Sequence, residues 1–246
     1  MQKQAQQNSL ESLVWSITWI KAFPTLYVTQ WYGQDHGLVW QQLAFDTIFE
    51  DHSLLSYDKE WKYMRDNKSM ANSLGYGEIA PHAVAHIIER MLSKHQLNLD
   101  HTSVVIDLGS GNGRVLMAAR LAHPFAKAIG VEIVPELHRE AMNNLERWKR
   151  CDASDLSFGC FDFQCADFTR DAPPMASAKI VFVHATVFNE QLMVEVQIMC
   201  ESCARGTFFV MVSKPLREHR GIRTVEVLQL DMNWGQATVF VQEKYL

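Results

Sequence analysis

The sequence has no excess of positive charge and few cysteines. Lys and Arg total 23 against 28 Asp and Glu, so the net charge is −5 and the isoelectric point lies near 6.0. Any binding to nucleic acid must therefore use a local basic surface rather than the overall charge. The 5 cysteines are odd in number and lack the regular spacing of a disulfide framework, which predicts a reducing compartment.

Long apolar runs and metal-ligand clusters are also missing. The most apolar early stretch, residues 13–28, is interrupted by Lys21 and Pro24, which argues against a membrane span there. The Gln-rich first residues show no basic start followed by an apolar core, so no secretory signal is expected. Cys200 and Cys203 have no second pair of cysteines to complete a zinc site, and we predict no metal. We therefore expect a folded protein without a membrane anchor.

After residue 99 the pattern is that of βαβ units, because short apolar or β-branched runs alternate with stretches of helical periodicity. This alternation predicts an α/β fold with a mostly parallel, Rossmann-like sheet. Residues 223–242 predict two further strands around a turn near Asn233, which would close the sheet with an antiparallel hairpin. The other predicted strands cover residues 103–108, 126–132, 161–165, 179–183 and 207–212, with helices at 114–123, 135–148 and 189–204.

Two apolar-periodic segments rich in Trp and Tyr precede this pattern, at residues 10–32 and 38–51. They predict a helical cap. The polar, glycine-bearing residues 66–77 predict a loop that leads into a helix from Pro81 to residue 92. We place the boundary so that residues 1–73 form an N-terminal, mostly helical cap and loop, and residues 74–246 form the main domain.

A glycine-rich turn, Asp107-Leu-Gly-Ser-Gly-Asn-Gly-Arg114, follows the first predicted strand. Such a turn places backbone N–H groups at the carboxyl edge of a parallel sheet, where these sheets bind ligands. A dinucleotide fold requires G-x-G-x-x-G, whereas here the third glycine comes one position early, at Gly113. The Asp107 carboxylate suits a cofactor with a sulfonium and an ammonium, because it would repel a pyrophosphate. The loop therefore favours S-adenosylmethionine.

Glu132 ends the second predicted strand. A carboxylate at this place can accept hydrogen bonds from both ribose hydroxyls, a feature that methyltransferases and dehydrogenases share. Glu132 therefore supports the sheet more than the choice of cofactor. The alternative is that the three glycines only form a tight turn.

Four segments together resemble the Dot-one-like (disruptor of telomeric silencing) histone lysine methyltransferase family, which modifies the globular part of histone H-three in nucleosomes. The resemblance runs from about residue 74 to the C-terminus, and it implies a class I S-adenosylmethionine-dependent methyltransferase fold. The segments are Tyr76-Gly-Glu-Ile79, Val105-Ile-Asp-Leu-Gly-Ser-Gly-Asn-Gly-Arg114, Gly130-Val-Glu132 and Ala166-Asp-Phe168.

The resemblance implies that these segments line the cofactor pocket. Glu78 would approach the methionyl end and Glu132 the ribose. Asp167 can accept a hydrogen bond from the exocyclic amine of adenine, and the Phe168 ring can stack on or beside the base. The implied cofactor-binding residues are Tyr76, Gly77, Glu78, Ile79, Val105, Asp107, Gly109, Ser110, Gly111, Gly113, Arg114, Glu132, Asp167 and Phe168.

The acceptor side departs from the family pattern. Val212-Ser-Lys-Pro215 matches it, and Asn233-Trp234 is similar to the family's Ser-Trp. The family's two asparagines followed by Phe-x-Phe are replaced by His184-Ala-Thr-Val-Phe188, so only the last phenylalanine is kept. This difference leaves open a different lysine substrate.

Lysine methylation requires a neutral amine, and deprotonating a free lysine at pH 7 costs about 4.6 kcal/mol. An apolar aromatic channel lowers the lysine pKa by desolvation. The predicted channel residues are Phe188, Trp234 and Phe240, each of which could instead be a core aromatic. His184 is the predicted general base, with a hydrogen-bonding role as the alternative.

Residues 214–223 form a basic segment with one lysine and three arginines against a single acid. Because the segment follows the fifth predicted strand, it should lie at the active-site edge. We predict that Lys214, Arg217, Arg220 and Arg223 contact nucleosomal DNA or histone, with a solvated loop as the alternative.

The function implied by the resemblance is methylation of a histone lysine in the nucleus. One alternative is lysine methylation of a non-histone protein in the cytosol or mitochondrion. Another is a non-catalytic binding module that keeps the cofactor fold. The sequence leaves open the oligomeric state, the degree of methylation, the lysine that is chosen and the role of residues 1–60.

Overall fold

The structure is a computed structural model that describes Phe49 and residues 79–150, 159–232 and 235–246. Apart from Phe49, the predicted helical cap lies outside the described residues. The same holds for the predicted loop at 66–77 and for Tyr76, Gly77, Glu78 and Trp234. The boundary at residue 73 therefore stays a prediction.

The described elements agree closely with the predicted ones. Strand positions differ by one or two residues, while the helix predicted at 189–204 ends three residues early, at Glu201. The helices are α1 (Pro81–Lys94), α2 (Arg114–Ala122), α3 (Pro135–Arg150) and α4 (Glu190–Glu201), with a short 3-10 turn at Met175–Ser177. The strands are β1 (Val104–Leu108), β2 (Lys127–Glu132), β3 (Cys160–Cys165), β4 (Ala178–His184), β5 (Phe208–Val212), β6 (Ile222–Met232) and β7 (Gly235–Lys244).

The strands form one 7-stranded sheet in the order β3-β2-β1-β4-β5-β7-β6. The first five positions in this order pair in parallel, whereas β7 pairs antiparallel with both β5 and β6. This confirms the predicted Rossmann-like sheet with its antiparallel C-terminal hairpin. The order of connection reverses between β1 and β4, and open α/β sheets bind ligands outside the carboxyl ends of the strands at such a switch point.

Local sequence explains where the helices begin. Pro135 suits the first position of α3, because its missing N–H would have no partner there. Asn189 caps α4, and its side-chain oxygen accepts a hydrogen bond from the Leu192 N–H at 2.8 Å. The apolar faces of α1 and α2 cover one face of the sheet, and Val196 and Cys200 of α4 cover the other.

The cysteines of α4 and its end are buried thiols. Burial raises the pKa of Cys200 well above its ordinary value and raises the pKa of Cys203 to about 12. Both thiols therefore stay protonated. Within the described ranges, no group of three or more His, Cys, Asp or Glu residues is arranged to hold a metal ion. Among the same residues, no helix has the length and apolar character needed to span a membrane.

Candidate cofactor site and acceptor edge

The glycine loop is tied to the end of β2 by backbone hydrogen bonds. The N–H groups of Gly109 and Ser110 both donate to the Val131 carbonyl, at 2.9 and 3.1 Å. Gly109, Gly111 and Gly113 have φ angles of +85°, +52° and +85°, which glycine adopts without steric cost. The loop therefore leaves β1 in a fixed turn and begins α2 directly after Gly113.

The ring of Phe163 on β3 requires glycine at two places near this loop. A Cβ atom on Gly113 would lie 2.7 Å from Phe163 Cζ, and one on Gly130 would lie 2.8 Å from Phe163 Cδ1 and 2.6 Å from Ser110 Oγ. By contrast, a Cβ atom on Gly109 would meet no other described atom within 4 Å. The Phe163 ring thus packs against the loop at Gly113, whereas the space beside Gly109 is open.

Glu132 joins the glycine loop to the start of α3. Its Oε2 accepts from the Gly111 N–H at 2.7 Å, and its Oε1 accepts from the Val134 N–H at 2.8 Å. Burial raises the pKa of Glu132, while these backbone N–H groups act in the opposite direction. Since each carboxylate oxygen has two lone pairs, both can still accept from a ribose hydroxyl.

Asp107 brings a second buried carboxyl group to the same edge. The residue is 1% exposed, and its Oδ1 has no hydrogen-bond partner among the residues that the structure describes. Burial, together with the nearby charge of Glu132, raises the Asp107 pKa well above its ordinary value. A ligand that brings positive charge and hydrogen-bond donors relieves both effects. These residues therefore fit S-adenosylmethionine, which carries a sulfonium and an ammonium.

The predicted adenine side lies on the loop after β3. Asp167 Oδ1 accepts from the backbone N–H and the hydroxyl of Thr169, at 2.9 and 2.7 Å. The Phe168 ring is buried, and its centroid lies 6.2 Å from that of the Phe188 ring. The structure thereby joins two residues that sequence reasoning assigned to different parts of the site.

The structure places three other predicted cofactor residues, Val105, Ile79 and Arg114, at the edges of the site or in the core. Val105 is a fully buried core residue three positions before the end of β1, so its side chain is not at the carboxyl edge. Ile79 is buried and forms an isolated antiparallel bridge with Met232. Arg114 begins α2, and its guanidinium carbon lies 4.7 Å from the centroid of the Phe49 ring.

His184 is the last residue of β4 and reaches the carboxyl edge next to the glycine loop, since Val183 before it pairs with Leu108 of β1. Its side chain is partly accessible, but its Nε2 atom is buried. Burial lowers the His184 pKa to about 4. The imidazole is therefore neutral at physiological pH, and it is a weak base for an ammonium whose pKa is about 10.

Phe240 lies on the β7 position that pairs with Met211 of β5 and Val227 of β6. Its ring is half-buried and packs against the core that α4 covers. This position is one residue from the carboxyl end of β5. A core role and a channel role both remain compatible with it.

The basic segment is largely tied to the protein itself. The Lys214 ammonium donates to the Phe188 carbonyl. Arg220 pairs with Glu201 at 3.0 Å, and Arg223 pairs with Glu243 at 2.7 Å. Arg217 is exposed and makes no ion pair within the described part of the chain.

Sequence reasoning missed two glutamines that hold this segment. Leu216 N–H donates to Gln242 Oε1 at 2.7 Å, and Gln242 Nε2 donates back to the Leu216 carbonyl at 3.0 Å. Gln197 Oε1 likewise accepts from the Arg217 N–H at 2.8 Å. The available signal was weak, since Gln242 is a polar residue between Val241 and Glu243 at the end of a predicted strand.

The strand order, the switch point and the glycine loop together define a class I methyltransferase fold. Similar solved structures include magnesium protoporphyrin IX methyltransferase (ChlM) from Synechocystis PCC 6803 with bound SAM, which has a TM-score of 0.50 and 13% identity over 79% of this chain and 97% of that one. Another is the putative methyltransferase yhhF from Escherichia coli, with a TM-score of 0.51 and 14% identity over 67% of this chain and 87% of that one. At these identities the likeness concerns the fold alone.

The sequence narrows this class to one family. The family described as histone methylation protein DOT1 matches residues 58–231, and the chain belongs to this family. A protein-lysine N-methyltransferase from Saccharolobus islandicus (strain REY15A) is 39% identical over 61 residues, which are 25% of this chain and 37% of that protein. The match thus spans little more than a third of that relative. The family and the fold are both those of S-adenosylmethionine-dependent methyltransferases.

Proposed function

We propose that the chain is a protein-lysine N-methyltransferase that acts on a lysine in the globular part of nucleosomal histone H-three. Family membership supports the histone substrate. The observation that carries the proposal is the contact between Phe168 and Phe188. It joins the cofactor side to the one phenylalanine that the chain keeps from the family's acceptor motif.

The reaction needs a cofactor held at the loop and an amine held in its neutral form. When bound, S-adenosylmethionine supplies a methyl group on a cationic sulfur. Asp107 and Glu132 provide the negative charge and the acceptors that hold such a cation, and both lie in a water-poor environment where electrostatic attraction is strong. Phe188 provides an apolar wall that disfavours the charged form of an entering lysine. His184, neutral because burial lowers its pKa to about 4, acts as a hydrogen-bonding group rather than as the base.

A second candidate substrate is a lysine of a non-histone protein. The pairing of Arg220 with Glu201 and of Arg223 with Glu243 favours it, because these pairs reduce the charge available for DNA phosphates. The proposed nuclear location depends on the histone substrate and fails with it. Nothing in the described site favours a non-catalytic module, since the cofactor acids and glycines are all retained.

The test is transfer of labelled methyl from S-adenosylmethionine to intact nucleosomes, free histones and a cytosolic extract in parallel. A Glu132→Gln variant serves as the low-activity control. Label on a lysine of histone H-three in nucleosomes supports the first candidate. Label confined to an extract protein supports the second. If the wild-type chain binds the cofactor and labels no lysine in any sample, the lysine-methyltransferase proposal is refuted.

A further inference from the structure

The loops that leave β4 and β5 are joined by three hydrogen bonds at the active-site edge. Ala185 N–H donates to the Val212 carbonyl at 3.1 Å. The hydroxyls of Thr186 and Ser213 lie 2.9 Å apart. The third bond runs from the Lys214 ammonium to the Phe188 carbonyl. The two loops therefore form one connected rim.

Ser213 has an unusual backbone conformation in this rim. Its φ angle is +70°, a left-handed value that is costly for a residue other than glycine. Its N–H donates to the Thr238 carbonyl of β7 at 2.8 Å, and its hydroxyl contacts Thr186. Such strain persists only where the surroundings determine the conformation, and it occurs often at functional sites.

The residues that follow Lys214 are held equally firmly. Gln242 is 0% exposed and bonds both backbone polar groups of Leu216. Gln197 bonds the backbone of Arg217. The half-buried Lys214 side chain thus extends from a fixed backbone between the strained Ser213 and the clamped Leu216, not from a solvated loop.

Lys214 contacts the turn at residues 185–189, and this turn is fixed at both of its ends. The Phe188 N–H donates to the Ala185 carbonyl at 3.1 Å, and Asn189 caps α4. The Lys214 contact adds a charge-assisted hydrogen bond to the carbonyl between these two fixed points. Moving that carbonyl would also move the Phe188 ring, which packs against Phe168.

We propose that Lys214 is a positioning residue for the acceptor side: its ammonium fixes the Phe188 turn so that the Phe188 ring keeps its place beside Phe168. This replaces the DNA or histone contact that the sequence predicted for Lys214. The inference rests on the proposed function, in which Phe188 lines the lysine channel.

The experiment compares Lys214→Met with Arg217→Met in the full chain. Both variants remove one cation from the same segment, but only the first removes the contact with Phe188. Amide hydrogen exchange of residues 185–189 and the dissociation constant of S-adenosylmethionine are measured in both, together with kcat/KM on the acceptor identified in the transfer assay. Lys214→Arg, which retains a donor, serves as the conservative variant.

We expect faster exchange at residues 185–189 in Lys214→Met alone, with partial recovery in Lys214→Arg. We expect kcat/KM for the acceptor to fall at least roughly tenfold, since small misplacements of reacting groups have large effects, while the cofactor dissociation constant changes less than about twofold. The exchange and cofactor measurements do not depend on the acceptor. If no acceptor is found, the proposed function fails while exchange still decides whether Lys214 fixes the turn.

Two results would overturn the proposal. One is unchanged exchange at residues 185–189 in Lys214→Met. The other is an activity loss that matches that of Arg217→Met and is accompanied by a decrease of about one in the salt slope of nucleosome binding, which is the behaviour of a phosphate contact.

Discussion

Replacing Asp107 by asparagine keeps the shape of a buried side chain and removes its charge, so it tests the electrostatic account of the cofactor site. Burial and the charge of Glu132 raise the Asp107 pKa in the folded free protein. A group with a raised folded pKa contributes stability that is fully present below its unfolded pKa, about 3.9, and is lost as pH rises through the folded value. Asparagine does not titrate. Without cofactor, we therefore expect the free energy of unfolding of Asp107→Asn to decrease less than that of the wild type as the pH rises above 4.

Cofactor binding should change in the opposite direction. A hydrogen bond to a charged group contributes about 1.5–3 kcal/mol, and tenfold in affinity corresponds to about 1.4 kcal/mol, so the dissociation constant of Asp107→Asn should rise roughly 10- to 150-fold. Because the bound cation favours ionised Asp107, the wild-type affinity should also increase with pH, and this increase should be smaller in the variant.

Both effects can be measured by calorimetric titration and thermal unfolding at several pH values between 5 and 8. Asp171→Asn is the matched control, because Asp171 is an exposed carboxylate on the loop after β3. The reasoning is refuted if Asp107→Asn binds the cofactor within twofold of the wild type. It is also refuted if the difference in unfolding temperature between the variant and the wild type is the same at every pH.

Three further changes test other parts of the structure. Gly130→Ala should destabilise the fold by about 1–3 kcal/mol in urea unfolding, because its Cβ would overlap Ser110 and Phe163; adding Phe163→Ala should recover part of this, and strict additivity would contradict the packing account. Glu226, whose pKa the Arg90 hydrogen bond lowers to about 2, contributes stability above its ordinary pKa that is lost as pH falls through about 2. Glu226→Gln should therefore lose about 1.5–3 kcal/mol at neutral pH and progressively less in acid, and an equal loss at all pH values would argue against the ion pair. His184→Asn should retain activity with an unchanged pH profile between 6 and 9, whereas loss of one limb of that profile would restore His184 as the base.

The sequence was sufficient for the sheet and the glycine loop because both depend on local patterns. The apolar run at residues 208–212 predicts β5, and the early third glycine, Gly113, predicts the turn of the cofactor loop. Each pattern needs only a few neighbouring residues. The hairpin of β6 and β7 was predictable for the same reason. The insertion of β7 between β5 and β6 has no local signal, and the sequence did not predict it.

The contacts across the acceptor edge were not predictable from local patterns. The sequence predicts an external partner for Lys214 because the residue belongs to a basic segment that follows a strand, and local patterns do not reveal its contact inside the protein. Its carbonyl partner, Phe188, is separated from it by 26 positions in the sequence. The meeting of Phe168 with Phe188 likewise depends on how two loops pack at the sheet edge. Such pairings arise only after the strands are in register.

The position of β7 between β5 and β6 has a consequence for the order of folding. Strand β6 is completed earlier in the chain, yet it joins the sheet only through β7, which is made after it. Until residues 235–244 have left the ribosome, β6 therefore lacks its neighbouring strand, and Val227 lacks its cross-strand partner Phe240. The parallel strands can pair before then, and we expect the antiparallel edge formed by β7 and β6 to be completed last.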